Sequence, residues 1–272
     1  MIHYHGTPGS SKVNASRYLA GRHALVSHAN PEFVAIAAEV CQSFVLDNGA
    51  FTHWKAGKPK TNWGDYYNWS ALWLSRPCCD WALIPDVIGG TAEDNDRLLA
   101  EWPHGKAFGV PVYHMHEPVS RLAALAIDWP RVALGSSGDF AQIGTSAWWN
   151  RMGEMMAAVC DNQGRPRCRL HGLRMLDWRI FTLLPLASAD SVNMAMNCGR
   201  SADTHNLGDD VVTGAAIIAS RIEAHNSAAK WTPVCPPMDA QMSLNFDGSA
   251  DEMARGSESL ETAEPAPLGA RK

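Results

Sequence analysis

The chain has 272 residues, of which 46% are hydrophobic, and a formal net charge of −5. This composition excludes an intrinsically disordered chain, and the acidic balance gives no global argument for nucleic-acid binding. The length suits one large domain or two small ones, and an α/β barrel alone takes about 250 residues. No apolar run reaches the roughly 18 residues of a membrane helix, so we expect no membrane partner. The seven cysteines have no framework spacing and the first residues lack signal-peptide features, so we expect reduced thiols in a cytoplasmic protein.

Short apolar runs that end in polar residues or glycine alternate with helix-like segments. The predicted strands are 1–5, 23–28, 43–47, 81–86, 110–114, 131–135, 168–171 and 186–190. The predicted helices are 31–40, 66–74, 92–101, 119–127, 146–159, 173–183 and 209–224. Eight strand–helix alternations indicate parallel strands, because each crossover helix returns the chain to the same edge. The pattern predicts an α/β fold, a single TIM-like (β/α)8 barrel domain at residues 1–235, with an open doubly wound sheet as the alternative.

The last part of the chain, residues 236–272, has a different composition. It is acidic, rich in small residues and poor in large apolar ones. Such a segment buries too little apolar area to offset the entropy of ordering it. We therefore expect a disordered acidic tail there.

Carboxylates lie where three of the predicted strands end, at Asp47, Asp86 and Asp190. Catalytic groups of α/β barrels gather at the carboxyl ends of the strands. A pair of carboxylates suits displacement at an anomeric carbon, because one attacks the carbon while the other transfers a proton. The alternative is structural, since strand-end aspartates often cap the helix that follows. The placement indicates a carboxylate site at the barrel mouth.

Six short motifs accompany these strand ends. They are Asp-Asn-Gly-Ala-Phe at 47–51, Pro-Asp-Val at 85–87, Val-Tyr-His-Met-His-Glu-Pro at 112–118, Leu-Gly-Ser-Ser-Gly at 134–138, Leu-His-Gly-Leu at 170–173 and Ser-Ala-Asp-Ser at 188–191. In this order they resemble motifs of the tRNA-guanine transglycosylase superfamily. The resemblance is greatest to its small phage and genomic-island branch, the DpdA-type proteins that insert 7-deazaguanines into DNA. It covers about residues 1–230.

The resemblance implies a role for each carboxylate. Asp190 would match the nucleophile that attacks C1′ of the nucleoside, and Asp47 the general acid/base that serves the leaving and entering bases. Asp86 would match the carboxylate that binds the N1 and amino edge of the purine. His114 or His116 stands where the family uses a glutamine, which changes the contacts to the base. The implied catalytic residues are Asp190 and Asp47, and the implied substrate-binding residues are Asp86, His114, His116, Gly135, Ser136, His171, Asn48 and Phe51.

The resemblance also implies a reaction and its partners. Guanine in DNA would be exchanged for a preQ0-type 7-deazaguanine through a covalent aspartyl-glycosyl intermediate, which needs no cofactor. The expected partners are a nucleic acid, DNA rather than tRNA, the free 7-deazaguanine base, and helper proteins that present the DNA. A ribosyltransferase that acts on tRNA is the alternative within the same superfamily.

One departure from the family concerns zinc. The tRNA enzymes carry a structural zinc on a Cys-x-Cys-x-x-Cys cluster and a histidine after the nucleophile strand. Here only Cys198 and Cys235 follow Asp190, together with His205 and His225. This spacing does not fit a four-ligand zinc site, so we predict no metal.

The placement of histidines favours a second class of enzyme. A metal-dependent amidohydrolase uses His-x-His on the first strand, histidines on later strands and an aspartate on the last to hold zinc and activate water. The fit is incomplete, because the sixth predicted strand ends in Gly135 instead of histidine. The candidate ligands are His3, His5, His114, His171 and Asp190.

A third class is a binding protein without catalysis. Base stacking and phosphate contact use aromatic and basic side chains together. The other interpretation is an amphipathic helix that buries its tryptophans against the barrel. The segment that carries both residue types comprises Trp54, Trp63, Tyr66, Tyr67, Trp69 and Trp73 with Lys55, Lys58 and Lys60.

Overall fold

The computed structural model describes residues 1–7, 11–198 and 211–233. The predicted tail at 236–272, with Cys235 and His205, lies outside these residues. All described residues belong to one compact unit. The six cysteines among them are free thiols. Within the same residues, no helix has the length and apolar character that a membrane crossing requires.

Nine parallel strands form a nearly closed barrel. The strands are β1 (Ile2–Gly6), β2 (His23–Ser27), β3 (Ser43–Asp47), β4 (Cys79–Leu83), β5 (Gly109–Val110), β6 (Val112–His114), β7 (Arg131–Gly135), β8 (Arg169–Gly172) and β9 (Ser188–Ser191). Their order around the ring is β5-β4-β3-β2-β1-β9-β8-β7-β6. The predicted TIM-like barrel is confirmed.

The ninth strand arises because Pro111 divides the fifth predicted strand. Proline has no backbone N–H and cannot donate to a ladder. Before Pro111, the chain pairs with β4, where Leu83 is in register with Val110. After it, the chain pairs with β7, where His114 is in register with Gly135. One short segment therefore joins the two ends of the strand order by changing partner at Pro111.

Ten α-helices, counted over the described residues, follow the strands. They are α1 (Lys12–Leu19), α2 (Val34–Val40), α3 (Ala50–Lys55), α4 (Gly64–Leu74), α5 (Ala92–Glu101), α6 (Val119–Asp128), α7 (Ser146–Val159), α8 (Trp178–Phe181), α9 (Asn193–Asn197) and α10 (Val211–Glu223). The bounds of α5 and α7 are those predicted. A capping box of Thr91 and Asp94 begins α5, and the Thr145 hydroxyl accepts a backbone N–H at the start of α7. Local capping chemistry therefore sets these two boundaries.

The helix predicted at 173–183 is mostly wrong. Only Trp178–Phe181 is α-helical, and the Asp177 side chain caps its first turn. Arg174 has a φ of 57°, in the left-handed region that a right-handed helix excludes. The residues after β8 instead form a loop over the barrel mouth. Three helices were not predicted: α1, the six-residue α3 and the five-residue α9, and the last two are too short to show a helical period.

Strand register decides which side chains face the barrel interior. Tyr4 is fully buried in the central core, and it is in register with Asp190 on the adjacent strand. Paired residues of parallel strands point to the same side, and alternate residues of one strand point to opposite sides. Asp190 and Ser188 therefore point inward. Asp47 also points inward, because it lies two residues after Val45, which belongs to the same central core.

Candidate active site

Asp190 lies at the carboxyl end of β9 and is held by two N–H donors. Its Oδ1 lies 3.2 Å from Nε2 of His171 and accepts the backbone N–H of Arg174 at 3.1 Å. Among the described residues, none donates a hydrogen bond to its other oxygen, Oδ2. One carboxylate oxygen thus anchors the group while the other remains available for chemistry.

His171 orients Asp190 from the centre of the barrel. The ring is fully buried, and its edge packs against Trp81 with centroids 4.9 Å apart. Nδ1 of His171 lies 2.9 Å from the Ser188 hydroxyl, which accepts from the Arg131 guanidinium at 3.3 Å. Because arginine can only donate, the Ser188 hydroxyl is free to donate to Nδ1, which places the ring proton on Nε2. Burial lowers the pKa of His171 despite the opposing effect of Asp190, so the neutral ring donates to the carboxylate.

Asp47 has a different environment at the end of β3. It accepts the backbone N–H of Gly49 at 3.1 Å. Burial raises its pKa to about 6, the hydrogen bond from Ser27 opposes the rise, and the charges of Asp190 and Asp86 add to it. Asp190 and Asp86 are thus near enough for their charges to act on Asp47. A carboxyl group with this pKa exchanges protons near neutral pH, as a general acid/base must.

Asp86 follows β4 and is held by neighbours on two sides. Its Oδ1 accepts from the Asn48 amide at 2.8 Å, and the same amide also donates to the carbonyl of Ile84. Its Oδ2 lies 3.0 Å from Nε2 of His114, close enough for an ion pair although the ring N–H is not aligned for a hydrogen bond. Burial disfavours the charged form of His114, but Asp86 and Glu117 outweigh it and raise the pKa of His114.

The other predicted substrate-binding residues lie around this centre. Gly135 is beside His114, in register on β7. The Ser136 hydroxyl accepts from the Trp148 indole at 2.9 Å, so its side chain is already engaged. His116 is exposed on the rim, where its ring contacts the Ser137 hydroxyl at 2.8 Å and the Gly90 carbonyl at 3.1 Å. His116 therefore links two loops at the mouth.

Phe51 and Arg174 form one wall of the mouth. The Arg174 guanidinium lies 4.6 Å from the Phe51 ring centroid, while its own backbone N–H holds Asp190. A non-glycine residue with positive φ carries a strain of about 1–3 kcal/mol, and such residues cluster at functional sites. Here the strained backbone directs the N–H at the carboxylate.

The structure separates the histidines that an amidohydrolase would bring together. Nε2 of His5 lies 2.8 Å from Glu223 of α10, and Nε2 of His3 lies 3.0 Å from the carbonyl of His225. Both rings face the helices outside β1, whereas His171 and Asp190 face the interior. Over the residues that the structure describes, no group of three His, Cys, Asp or Glu side chains could hold a metal ion.

Several residues of the site were not recognised from the sequence. Ser188 and Arg131 support His171, and Glu117 binds the backbone N–H of His114 at 3.0 Å. Glu117 is itself buried and paired with Arg121 at 2.8 Å. The sequence signal that could have identified Arg131 is its spacing of two and four residues from Ala133 and Gly135, which places all three side chains on one side of a predicted strand.

Comparison of the chain with protein-family models, with curated proteins and with solved structures finds no match.

Proposed function

We propose that this protein is a base-exchange transglycosylase that replaces guanine in DNA with a 7-deazaguanine. The observation that supports this proposal best is a pair of carboxyl groups with different environments at one barrel mouth. Asp190 is anchored through Oδ1 by two N–H donors, whereas the pKa of Asp47 is raised to about 6. Displacement at an anomeric carbon uses such a pair as nucleophile and proton carrier. The resemblance of six motifs to the transglycosylase superfamily supplies the substrate class.

In the first half-reaction, Oδ2 of Asp190 attacks C1′ of the target nucleoside. The bond from C1′ to N9 of guanine breaks, and the departing N9 takes the proton of neutral Asp47. In the second half-reaction, ionised Asp47 removes the N9 proton of the entering base, which attacks C1′ and breaks the bond to Asp190. The covalent glycosyl ester conserves the bond energy between the two steps, so no cofactor is required.

Base recognition is assigned to Asp86 and its supports. Guanine and 7-deazaguanines both carry N–H donors at N1 and at the amino group. The two oxygens of a carboxylate can accept one hydrogen bond from each of these donors. The amide of Asn48 and the ring of His114 hold Asp86 in place. The amidohydrolase alternative is not favoured, because His3 and His5 face away from Asp190.

Mass spectrometry of nucleosides tests the proposal. DNA and tRNA are digested from cells that express the protein and receive a free 7-deazaguanine base. We expect a modified deoxynucleoside with the wild-type protein and none with Asp190→Ala, while Asp139→Ala, an exposed carboxylate, serves as the matched control. Asp47→Ala should stall turnover but retain base binding. Full exchange by Asp190→Ala would overturn the mechanism, and modification confined to tRNA would move the substrate to RNA.

A further inference from the structure

We infer that α3 and the turn after it bind the single-stranded DNA that flanks the target nucleotide. The surface consists of Phe51, Trp54, Lys55 and Lys58 with the Arg174 guanidinium, and we call it the α3 platform. The inference rests on the proposed DNA substrate, and it extends that proposal to the nucleotides beside the one that reacts.

Two large aromatic rings are exposed on the α3 platform. Phe51 is 40% exposed and Trp54 is 48% exposed. Their ring centroids are 5.9 Å apart, with an angle of 32° between the planes. By contrast, Tyr66 and Trp63 of the same aromatic-rich segment are buried. The platform is thus the part of this segment whose rings are most exposed, with Trp54 the more exposed of the two. An unpaired base that stacks on such a ring contributes about 1–3 kcal/mol.

The charge of the platform suits a phosphate backbone. Residues 50–60 contain three lysines and no acidic residue, although the whole chain has a net charge of −5. Lys60 is engaged with Asp65 at 2.7 Å. Lys55 and Lys58 are exposed, and neither pairs with a carboxylate in the described part of the chain. These two ammonium groups are therefore available for phosphates, beside rings that bases can stack on.

The platform is attached directly to the proposed reaction centre. Only Asn48 and Gly49 separate Asp47 from the first residue of α3, and both contact the site carboxylates. Arg174 connects the two regions from the other side, since its side chain covers Phe51 and its backbone N–H holds Asp190. A nucleotide bound at Asp190 would therefore place its neighbours along the chain next to the platform. An unpaired strand fits better than a duplex, because base faces are buried inside a duplex.

Fluorescence anisotropy with a labelled 12-nucleotide DNA tests this assignment. The probe is offered as a single strand, as a duplex, and as the RNA of the same sequence, in the Asp190→Ala background so that no reaction intervenes. We expect the single strand to bind tightest. Trp54→Ala should weaken this binding at least about fivefold, and Lys55→Glu with Lys58→Glu should make the salt dependence shallower by about 1.4 in log–log slope.

Matched controls stand elsewhere on the barrel. Trp178→Ala is the control for Trp54→Ala, because it removes an indole that is 46% exposed and is stacked on His225. Lys106→Glu with Lys230→Glu is the control for Lys55→Glu with Lys58→Glu, because it makes the same change in charge. Unchanged binding by Trp54→Ala, or an equal loss by Trp178→Ala, would overturn the inference, as would tighter binding of duplex or RNA. If the platform binds single-stranded DNA as expected but the wild-type protein produces no modified deoxynucleoside in the mass-spectrometry experiment, only the proposed function is contradicted.

Discussion

Nε2 of His171 lies 3.2 Å from Oδ1 of Asp190, so a fully buried ring orients the carboxylate at the mouth of the barrel. The ring is in turn oriented by Ser188, which accepts a hydrogen bond from Arg131. The chain of contacts runs from the first residue of β7 to the penultimate residue of β9. The position of the proposed nucleophile therefore depends on an arginine at the amino end of another strand.

We expect Arg131→Met to slow base exchange while leaving base affinity unchanged. Without the guanidinium, Ser188 is free to donate or accept, and the proton of His171 is no longer held on Nε2. Loss of such a hydrogen bond costs on the order of tenfold in rate. Single-turnover kinetics measure the rate, and nitrogen NMR shifts of His171 report the tautomer. Arg169→Met, which changes the exposed register partner of Arg131, is the control; a slower rate with an unchanged tautomer would contradict this explanation.

Asp47→Asn should stabilise the folded protein at neutral pH. The pKa of Asp47 is about 6 in the folded protein and about 3.9 in the unfolded chain. As the pH rises from about 4 to about 6, the unfolded chain releases this proton first, so the free energy of unfolding falls. We expect Asp47→Asn to exceed the wild type by about 1–3 kcal/mol at pH 7.5, where the cost of ionisation is fully present.

Urea unfolding at pH 4 and pH 7.5 measures this difference. The advantage of Asp47→Asn should largely disappear at pH 4, where the wild-type carboxyl is neutral as well. Asp139→Asn, at an exposed position, should show little difference at either pH. An advantage of the same size at both pH values would mean that the charge of Asp47 is not its cause.

Two substitutions at Arg174 separate its backbone from its side chain. Arg174→Gly and Arg174→Ala both retain the N–H that holds Asp190, and both remove the guanidinium from Phe51. Because φ is 57°, we expect Arg174→Gly to be more stable than Arg174→Ala by about 1 kcal/mol. Thermal unfolding gives the ranking, and both variants should lose affinity for single-stranded DNA to the same extent. A more stable alanine variant would show that the left-handed conformation is not strained.

Glu223→Ala tests the outward orientation of His5. The substitution removes the partner of a fully buried ring, and we expect a loss of about 1–3 kcal/mol in the free energy of unfolding. Glu223→Gln keeps an acceptor and should lose less. Burial opposes the ionisation of Glu223, but His5 and Arg22 outweigh it and lower its pKa, so its stabilising effect is present at neutral pH and declines as the pH falls through the folded pKa. Base exchange per folded molecule should not change; its abolition would return His5 to the reaction.

The sequence predicted the barrel and its three strand-end carboxylates because both depend on local signals. Each strand shows its own apolar run, and Asp47, Asp86 and Asp190 each stand at the end of one. The supporting contacts could not be predicted in the same way. Arg131 and His171 meet only through strand register, and the left-handed Arg174 has a local sequence that is also compatible with a helix. These features require the assembled ring of strands.

The change of strand partner at Pro111 has a mechanical consequence for the two sides of the proposed base site. The segment around it pairs with β4 as far as Val110, where Ile84 donates the last backbone hydrogen bond to it within the described residues. Beyond Ile84 and Val110, towards the barrel mouth, no backbone hydrogen bond of the described residues joins the chain after β4 to β6. Asp86 and His114 lie on opposite sides of this gap, which we call the seam. Widening the seam would lengthen their 3.0 Å contact without disturbing the ladder between β8 and β9 that carries His171 and Asp190. The Asp86–His114 contact therefore depends on side chains alone, whereas the placement of His171 and Asp190 is fixed by a backbone ladder.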